Sequence, residues 1–439
     1  MSAQGAKSLA HMPELWKKLG WTFMLLLAYR VGIHVPLPGI DPVAMAEFFK
    51  KFASNNLIGM LDMFSGGGLS QFSIFALGVM PYISASIIMQ LMQVLNPDLK
   101  RMAREEGGAG KKKVTQYTRY LAVLISAVQA FGLANLIQGQ KSPVTGMSVV
   151  LEAGLMFQFI TVLTMTTGTM LLMWLGEQIT TKGIGNGVSL IIFSGIVASI
   201  PRAVINTVSQ IGATISPLVG IALVVLIPVV MLGIIFVERA QRRIPVHYAK
   251  RQQGRKVFGG QTTHLPLRLN TAGVIPPIFA GSLLMFPATL AEFASAPWLQ
   301  NIAQMFRHTS LVYNLLYVAL IIFFCYFYTA IIFDPKDIAE NLKKQGGFVP
   351  GIRPGDKTQE YIDAVLTRIT LWGAMYITAV CILPVILQTQ FGIPFLFGGT
   401  SVLIVVGVAM DFMSQVNSYL ISRQYEGILG KTKIKGRYQ

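Results

Sequence analysis

The sequence predicts an all-α polytopic membrane protein of ten transmembrane helices, and three observations carry that prediction. Of the 439 residues, 53% are apolar and only 13% are charged, about half the charged share of a soluble globular domain. Ten apolar stretches reach the length of about 20 residues that a helix needs to cross a hydrocarbon core about 30 Å thick. Lys and Arg fall almost wholly on one side of the resulting topology. The composition excludes a disordered chain, which needs low hydrophobicity and high charge. It also leaves too little polar surface for a soluble enzyme of several domains.

The ten stretches run approximately over 20–38, 72–95, 116–138, 151–176, 184–207, 214–237, 271–293, 309–333, 367–388 and 395–421. Helix is their expected state, because lipid offers no partner to open backbone groups. An even count puts both termini on one side. Thirty of the 36 Lys and Arg residues lie in the termini and loops of that side. Lys50, Lys51, Lys141, Arg202 and Arg307 lie opposite, and Arg30 falls within the first span. The asymmetry places both termini in the cytoplasm. The net charge of +17 is thereby a topology signal, and sequence-specific nucleic-acid binding is not expected. The first twenty residues lack a short apolar core followed by a small-residue cleavage site, so no cleaved signal peptide is expected.

Five spans precede residue 209 and five follow it. An odd number per half inserts the second half in the opposite orientation, the arithmetic of an inverted repeat. The expected halves are 1–208 and 209–439. Between the first two spans, LIGMLDMFSGGGLSQ (57–71) is mostly apolar but too short to cross. Gly66 to Gly68 break it. It fits either a re-entrant piece folded back into the protein or a helix lying flat at the interface. Arg30 and Asp411 are the clear charges within spans, and a structural role against a neighbouring helix is expected for them. Cys325 and Cys381 fall in apolar runs. The five histidines show no metal spacing, and His247 and His264 are expected to be solvated. No phosphate-binding loop appears. No metal and no cofactor are expected.

Two loops of the basic side are too large to be plain connectors. Residues 238–270 hold eight basic residues and one acidic residue. Ile244, Val246, Tyr248, Val257 and Phe258 interleave with them, which predicts a β-hairpin with Gly254 near its turn. A projecting basic hairpin suits an acidic partner such as RNA, an acidic protein or anionic lipid. The second loop, 334–366, contains GGFVPGIRPGD, where Pro350 and Pro354 flank Arg353 in a stiff, exposed turn. Rigid polar loop tips favour recognition.

These stretches resemble the SecY family, the central channel subunits of the bacterial protein translocase. The likeness is carried by FALGVMPYISASIIMQLMQ (75–93), GEQITTKGIGNGVSLIIFSGIVA (176–198) and FVERAQRRIPVHYAKRQQGR (236–255). It continues through THLPLRLNTAGVIPPIFA (263–280), NLKKQGGFVPGIRPG (341–355) and the 394–413 region. The resemblance implies a clamshell of two inverted five-helix halves around a central pore, with a lateral gate opening to lipid. It implies a pore ring of Val79, Ile83, Ile192, Ile278 and Ile404. Position 79 is Val where Ile is commoner. It implies a plug helix at 57–68, including Met60, Leu61, Asp62, Met63, Phe64, Ser65 and Gly66. Ser84, Gln90 and Phe286 become lateral-gate residues. Arg242, Arg243, Arg251, Arg255, Lys256 and Arg353 become docking residues for the motor SecA or a ribosome.

The partners that the resemblance implies are SecE, clamping the two halves, a peripheral SecG, SecA, the ribosome, preproteins with their signal sequences, and the lipid bilayer. The implied activity is a non-enzymatic channel in the bacterial cytoplasmic membrane. It moves unfolded preproteins across and releases transmembrane segments sideways. The rival reading is an ion-coupled secondary transporter with an inverted-repeat fold. Buried charge clusters would favour the rival, whereas large basic cytoplasmic loops and a re-entrant segment favour the channel.

Overall fold

The computed structural model describes residues 13–52, 62–105, 107–140, 146–210, 217–248, 251–253, 256–258, 262–293, 310–391 and 399–431. The helices are α1 (Pro13–Ile33), α2 (Pro42–Phe52), α3 (Met80–Leu95), α4 (Pro97–Glu105), α5 (Gly107–Gln138), α6 (Leu155–Lys182) and α7 (Gly187–Gln210). They continue with α8 (Pro217–Arg239), α9 (Ile275–Phe293), α10 (Leu311–Ile332), α11 (Pro335–Lys344), α12 (Asp356–Phe391) and α13 (Gly399–Lys431). The strands are β1 (Gln241–Tyr248), β2 (Arg251–Gln253), β3 (Lys256–Phe258), β4 (Thr262–Arg268) and β5 (Gly347–Phe348).

Each of the ten apolar stretches lies mainly on a helix. Among the described residues, α5, α6, α10, α12 and α13 are long and apolar enough to cross a membrane by themselves. The boundaries differ from those expected in one systematic way. α5, α12 and α13 run well beyond their apolar stretches, because Lys, Glu, Gln and Arg end a hydropathy window without ending a helix. Residues 72–79 are turns rather than helix, and α3 begins only at Met80, with Pro81 in its first turn. Proline suits that place, where no intrahelical partner is lost. Pro201, Pro228 and Pro384 stand inside α7, α8 and α12.

The chain divides into two compact units. One comprises Met1–Arg202, Thr289–Gln300 and Gly407–Gln439, the other Ala203–Ala288 and Asn301–Val406. In the first unit α5 packs on α3 and α6, and α1 on α6. An apolar cluster of Leu37, Ile40, Met45, Phe48, Phe72, Ile137, Val150 and Phe157 ties α2 to the ends of α5 and α6. Asp41 caps α2, accepting from the Val43 amide at 2.9 Å. Arg119 of α5 and Glu177 of α6 form a two-pronged ion pair at 2.6–3.0 Å.

The corner between α6 and α7 explains the GIGNG motif. Asn186 caps α7, accepting from the Val188 amide at 3.2 Å. The Gly187 amide donates to Thr180 Oγ1 at 2.9 Å, and the Ile184 amide to Thr22 Oγ1 at 3.2 Å. Gly185 has φ +95, a left-handed conformation, and a side chain at Gly187 would strike the Gly176 carbonyl. Only glycine meets both demands.

In the second unit α10 packs on α12, and Phe279 of α9 meets Phe324 edge-on with centroids 5.7 Å apart. Asp334 caps α11 by accepting from the Lys336 amide at 3.2 Å, with Pro335 at the first helical position. The strands form a three-stranded antiparallel sheet in the order β4-β1-β5 and a separate β2-β3 hairpin.

Candidate functional site

The basic loop 238–270 folds as the hairpin that its alternation predicts. β1 pairs with β4 from Gln241↔Arg268 to His247↔Thr262. Ile244 and Val246 are buried, while Arg242 and Arg243 project from the exposed edge of the pattern. β2 and β3 form their own antiparallel pair, with Arg251 opposite Phe258 and Gln253 opposite Lys256. Arg251 and Lys256 lie on these strands, and their side chains fall outside the described residues, as do Gly254 and Arg255. His264 is exposed. His247 is half-buried and faces the Phe348 ring at 6.0 Å.

The second large loop joins the first, and this the sequence reading missed. β5 pairs with the end of β1, His247↔Phe348 and Tyr248↔Gly347. Ile244 and Leu267 share one apolar core with Val349, Ile362, Leu366 and Ile369. A two-residue strand is too short to show alternation, so no periodic signal marks it. Arg353 stands exposed at the tip of the adjoining turn. Its carbonyl accepts from Thr358 Oγ1 at 3.0 Å, and the preceding Ile352 packs against the shared core. The tip is therefore fixed from below while its guanidinium faces solvent. Nearby, Lys357 donates to Glu360 at 2.8 Å, a bond and a charge that raise the exposed ammonium above its ordinary range.

The base of the hairpin is clasped to the end of α8 and to α10. The Leu269 amide donates to the Ala240 carbonyl at 2.9 Å, and Asn270 Nδ2 donates to Glu238 Oε1 at 2.6 Å. Thr271 Oγ1 meets Thr329 Oγ1 of α10 at 3.0 Å. The strands, their apolar core and the clasp make one platform.

The segment after α2 is compact and buried where it is described. Met60 and Leu61 lie outside the described residues. Asp62–Phe64 form a single turn, and Met63, Phe64, Ser65 and Gly66 are all buried. The Gly67 amide donates to the Asp62 carbonyl at 2.8 Å, and the Ser70 amide to Asp62 Oδ1 at 2.7 Å. Arg30 reaches this segment from α1. Asp411 has a local partner: Gln415 Nε2 donates to Asp411 Oδ2 at 2.9 Å, and Gln415 Oε1 accepts from the Gly185 amide at 3.0 Å. Arg30 thus bonds to a neighbouring element directly, and Asp411 is joined to one through Gln415.

Four of the five ring candidates lie in the first two turns of their helices, and the fifth, Val79, stands just before one. Val79 caps α3, and the Ile83 amide donates to its carbonyl at 3.1 Å. Val79, Ile83 and Ile192 are buried in the first unit, with Ile192 on α7. In the second unit Ile404 on α13 is 1% exposed and Ile278 on α9 is half-buried. Ser84 and Gln90 lie on α3, where Gln90 Nε2 donates to Ser86 Oγ at 3.3 Å. Phe286 lies on α9, and its side chain falls outside the described residues.

The SecY family model matches residues 73–413. The protein translocase subunit SecY of Pseudomonas aeruginosa is 49% identical over 446 residues, covering 99% of this chain and 98% of the relative. A solved structure described as a protein-conducting channel superposes with a TM-score of 0.63 at 15% identity, covering 96% of this chain and 95% of that one. A second has the same TM-score at 16% identity. It is described as showing that the plug domain of the SecY protein stabilises the closed state of the translocation channel and maintains a membrane seal. At these identities the structures speak for the fold, an all-α polytopic membrane protein of ten transmembrane helices. A family model across most of the sequence and near-half identity over almost all of it lead to one conclusion: the chain belongs to the SecY family.

Proposed function

We propose that this chain is the central subunit of a protein-conducting channel in a bacterial cytoplasmic membrane, with both termini in the cytoplasm. The carrying observation is its near-half identity to a translocase subunit along its whole length. The pathway lies between the halves 1–208 and 209–439. An unfolded preprotein crosses there through a waist of Val79, Ile83, Ile192, Ile278 and Ile404. Aliphatic side chains fit any passing sequence, because they make no directed bonds. Residues 57–68 are the plug of the resting channel. Signal sequences and transmembrane segments leave sideways because lipid solvates them better than an aqueous pore.

The chain supplies a path and no chemistry. Energy comes from partners that dock on the cytoplasmic platform, either the motor SecA or a translating ribosome. The exposed Arg242, Arg243 and Arg353 on a fixed scaffold support that assignment, since guanidinium groups pair well with carboxylates and phosphates. Arg251, Arg255 and Lys256 belong to the same proposed docking set. SecE clamps the two halves and SecG sits at the periphery. The test is reconstitution. Vesicles holding this chain with SecE and SecG should take up a preprotein when SecA and ATP are added. Vesicles lacking the chain should not. Equal uptake by both would refute the proposal.

The lateral gate gives a sharper test. Ser84 and Gln90 of α3 belong to one edge and Phe286 of α9 to the other. A Ser84→Cys, Phe286→Cys pair is expected to crosslink on oxidation and to stop export, with recovery on reduction. Gel shift and preprotein uptake read the two effects. Full crosslinking with unchanged export would remove the gate from this seam.

A further inference from the structure

Arg30 is a charge inside a transmembrane span, and such charges are costly unless they are paired. Its Nη1 donates to the Gly66 carbonyl at 2.9 Å. The adjacent Tyr29, 1% exposed, donates its hydroxyl to the Ser65 carbonyl at 3.0 Å. Consecutive residues of α1 thus hold consecutive carbonyls of the segment after α2. A third element meets the same point from α7. A side chain at Gly195 would come within 3.1 Å of Gly66 Cα, and one at Gly66, whose φ is +70, within 2.9 Å of Gly195 Cα. Bare backbone faces bare backbone. The segment arrives there already folded, with the Gly66 amide on the Met63 carbonyl at 3.1 Å and Asp62 holding Ser70.

We infer that Arg30, Tyr29 and Gly195 form a latch that holds the plug in its seat. The inference rests on the reading of 57–68 as the plug, and adds the residues that keep it closed. Every hydrogen bond of the latch goes to the main chain of the plug, so the latch recognises the shape of the turn rather than its side chains. Leaving the seat strips the acceptor from a guanidinium inside the span, which makes opening unfavourable until water or a passing chain supplies another. This accounts for a charge that the channel pathway itself does not explain. Gly195 permits the close approach, and any side chain there pushes the plug outward.

The test is single-channel recording of the purified complex with SecE and SecG in a planar bilayer without SecA. Arg30→Met keeps the length and removes the donors. Tyr29→Phe removes one hydroxyl, and Gly195→Ala crowds Gly66. Each is expected to raise the resting open probability, Arg30→Met by about tenfold or more, as loss of a charge-assisted bond implies. Arg30→Lys retains a donor and should fall between parent and Met variant. The same substitutions are then made with residues 60–68 deleted. The deletion alone should leak, and the substitutions should add nothing to it. A further rise in the deleted background would show general packing damage and overturn the latch. So would parental conductance in all three single variants beside a deletion that leaks. A deletion that does not leak would instead refute the plug reading, and the latch with it. Tyr29→Phe, nearly isosteric, decides the matter if Arg30→Met fails to assemble.

Discussion

Arg353→Glu is expected to reduce SecA-driven preprotein uptake by about tenfold or more, the loss of at least one charge-assisted bond, with a repulsion put in its place. The expectation follows from the way the tip is held. The Arg353 carbonyl is engaged by Thr358 and the Ile352 side chain sits in the platform core, so the backbone cannot swing the substituted residue away. Arg353 is exposed, so the substitution leaves the fold and the melting temperature near the parental values. Arg353→Lys is expected to be impaired as well, because a point charge does not replace a planar fork. Uptake into vesicles loaded with equal amounts of channel measures both. Parental uptake by the Glu variant would take Arg353 out of the docking surface.

The second large effect is expected at the waist. Changing Ile83, Ile192, Ile278 and Ile404 together to Ser should raise the resting ion conductance strongly. An aliphatic constriction wets poorly and can gate by dewetting. An ion entering it loses hydration with no polar group to replace it, a cost of several kcal/mol or more. Four hydroxyls restore part of that hydration. Protein export should fall less than conductance rises, because the path itself remains. Replacement by Asp should be worse than by Ser, since a charge holds water permanently. The substitutions also remove packing from buried positions, so assembly with SecE serves as the control for folding. Planar-bilayer recording without SecA gives the answer. A variant that assembles yet conducts no more than the parent, even with 60–68 deleted, would make these residues ordinary packing.

The spans were legible because lipid imposes a length and an apolar composition that leave a plain mark. The hairpin was legible because Ile244 and Val246 alternate with exposed residues at the period of a strand. Three features left no such mark. The pairing of β5 with β1 depends on contacts a hundred residues apart, and a two-residue strand carries no period. The partner of Arg30 is a main-chain carbonyl, which has no identity in the sequence. The clasp of Asn270 on Glu238 joins two ordinary polar residues whose meeting depends on where the hairpin closes. The extension of α5, α12 and α13 beyond the apolar spans was missed for a different reason. Hydropathy measures lipid contact, whereas helix continues wherever propensity and packing allow.

The three-stranded sheet also sets an order of events during synthesis. β1 and β4 are neighbours in the chain and can pair as soon as both have emerged. β5 is made about a hundred residues after β1, a delay of roughly 5–20 s at about 5–20 residues per second. By then α9 and α10 exist, and eight of the ten spans have been made. Until that moment β1 has only β4 beside it among the described strands, and Arg353 has not been translated. A half-made chain therefore carries the Arg242 and Arg243 edge of the sheet without the Arg353 turn. One two-residue strand thus defers completion of the sheet until most of the apolar spans have been made.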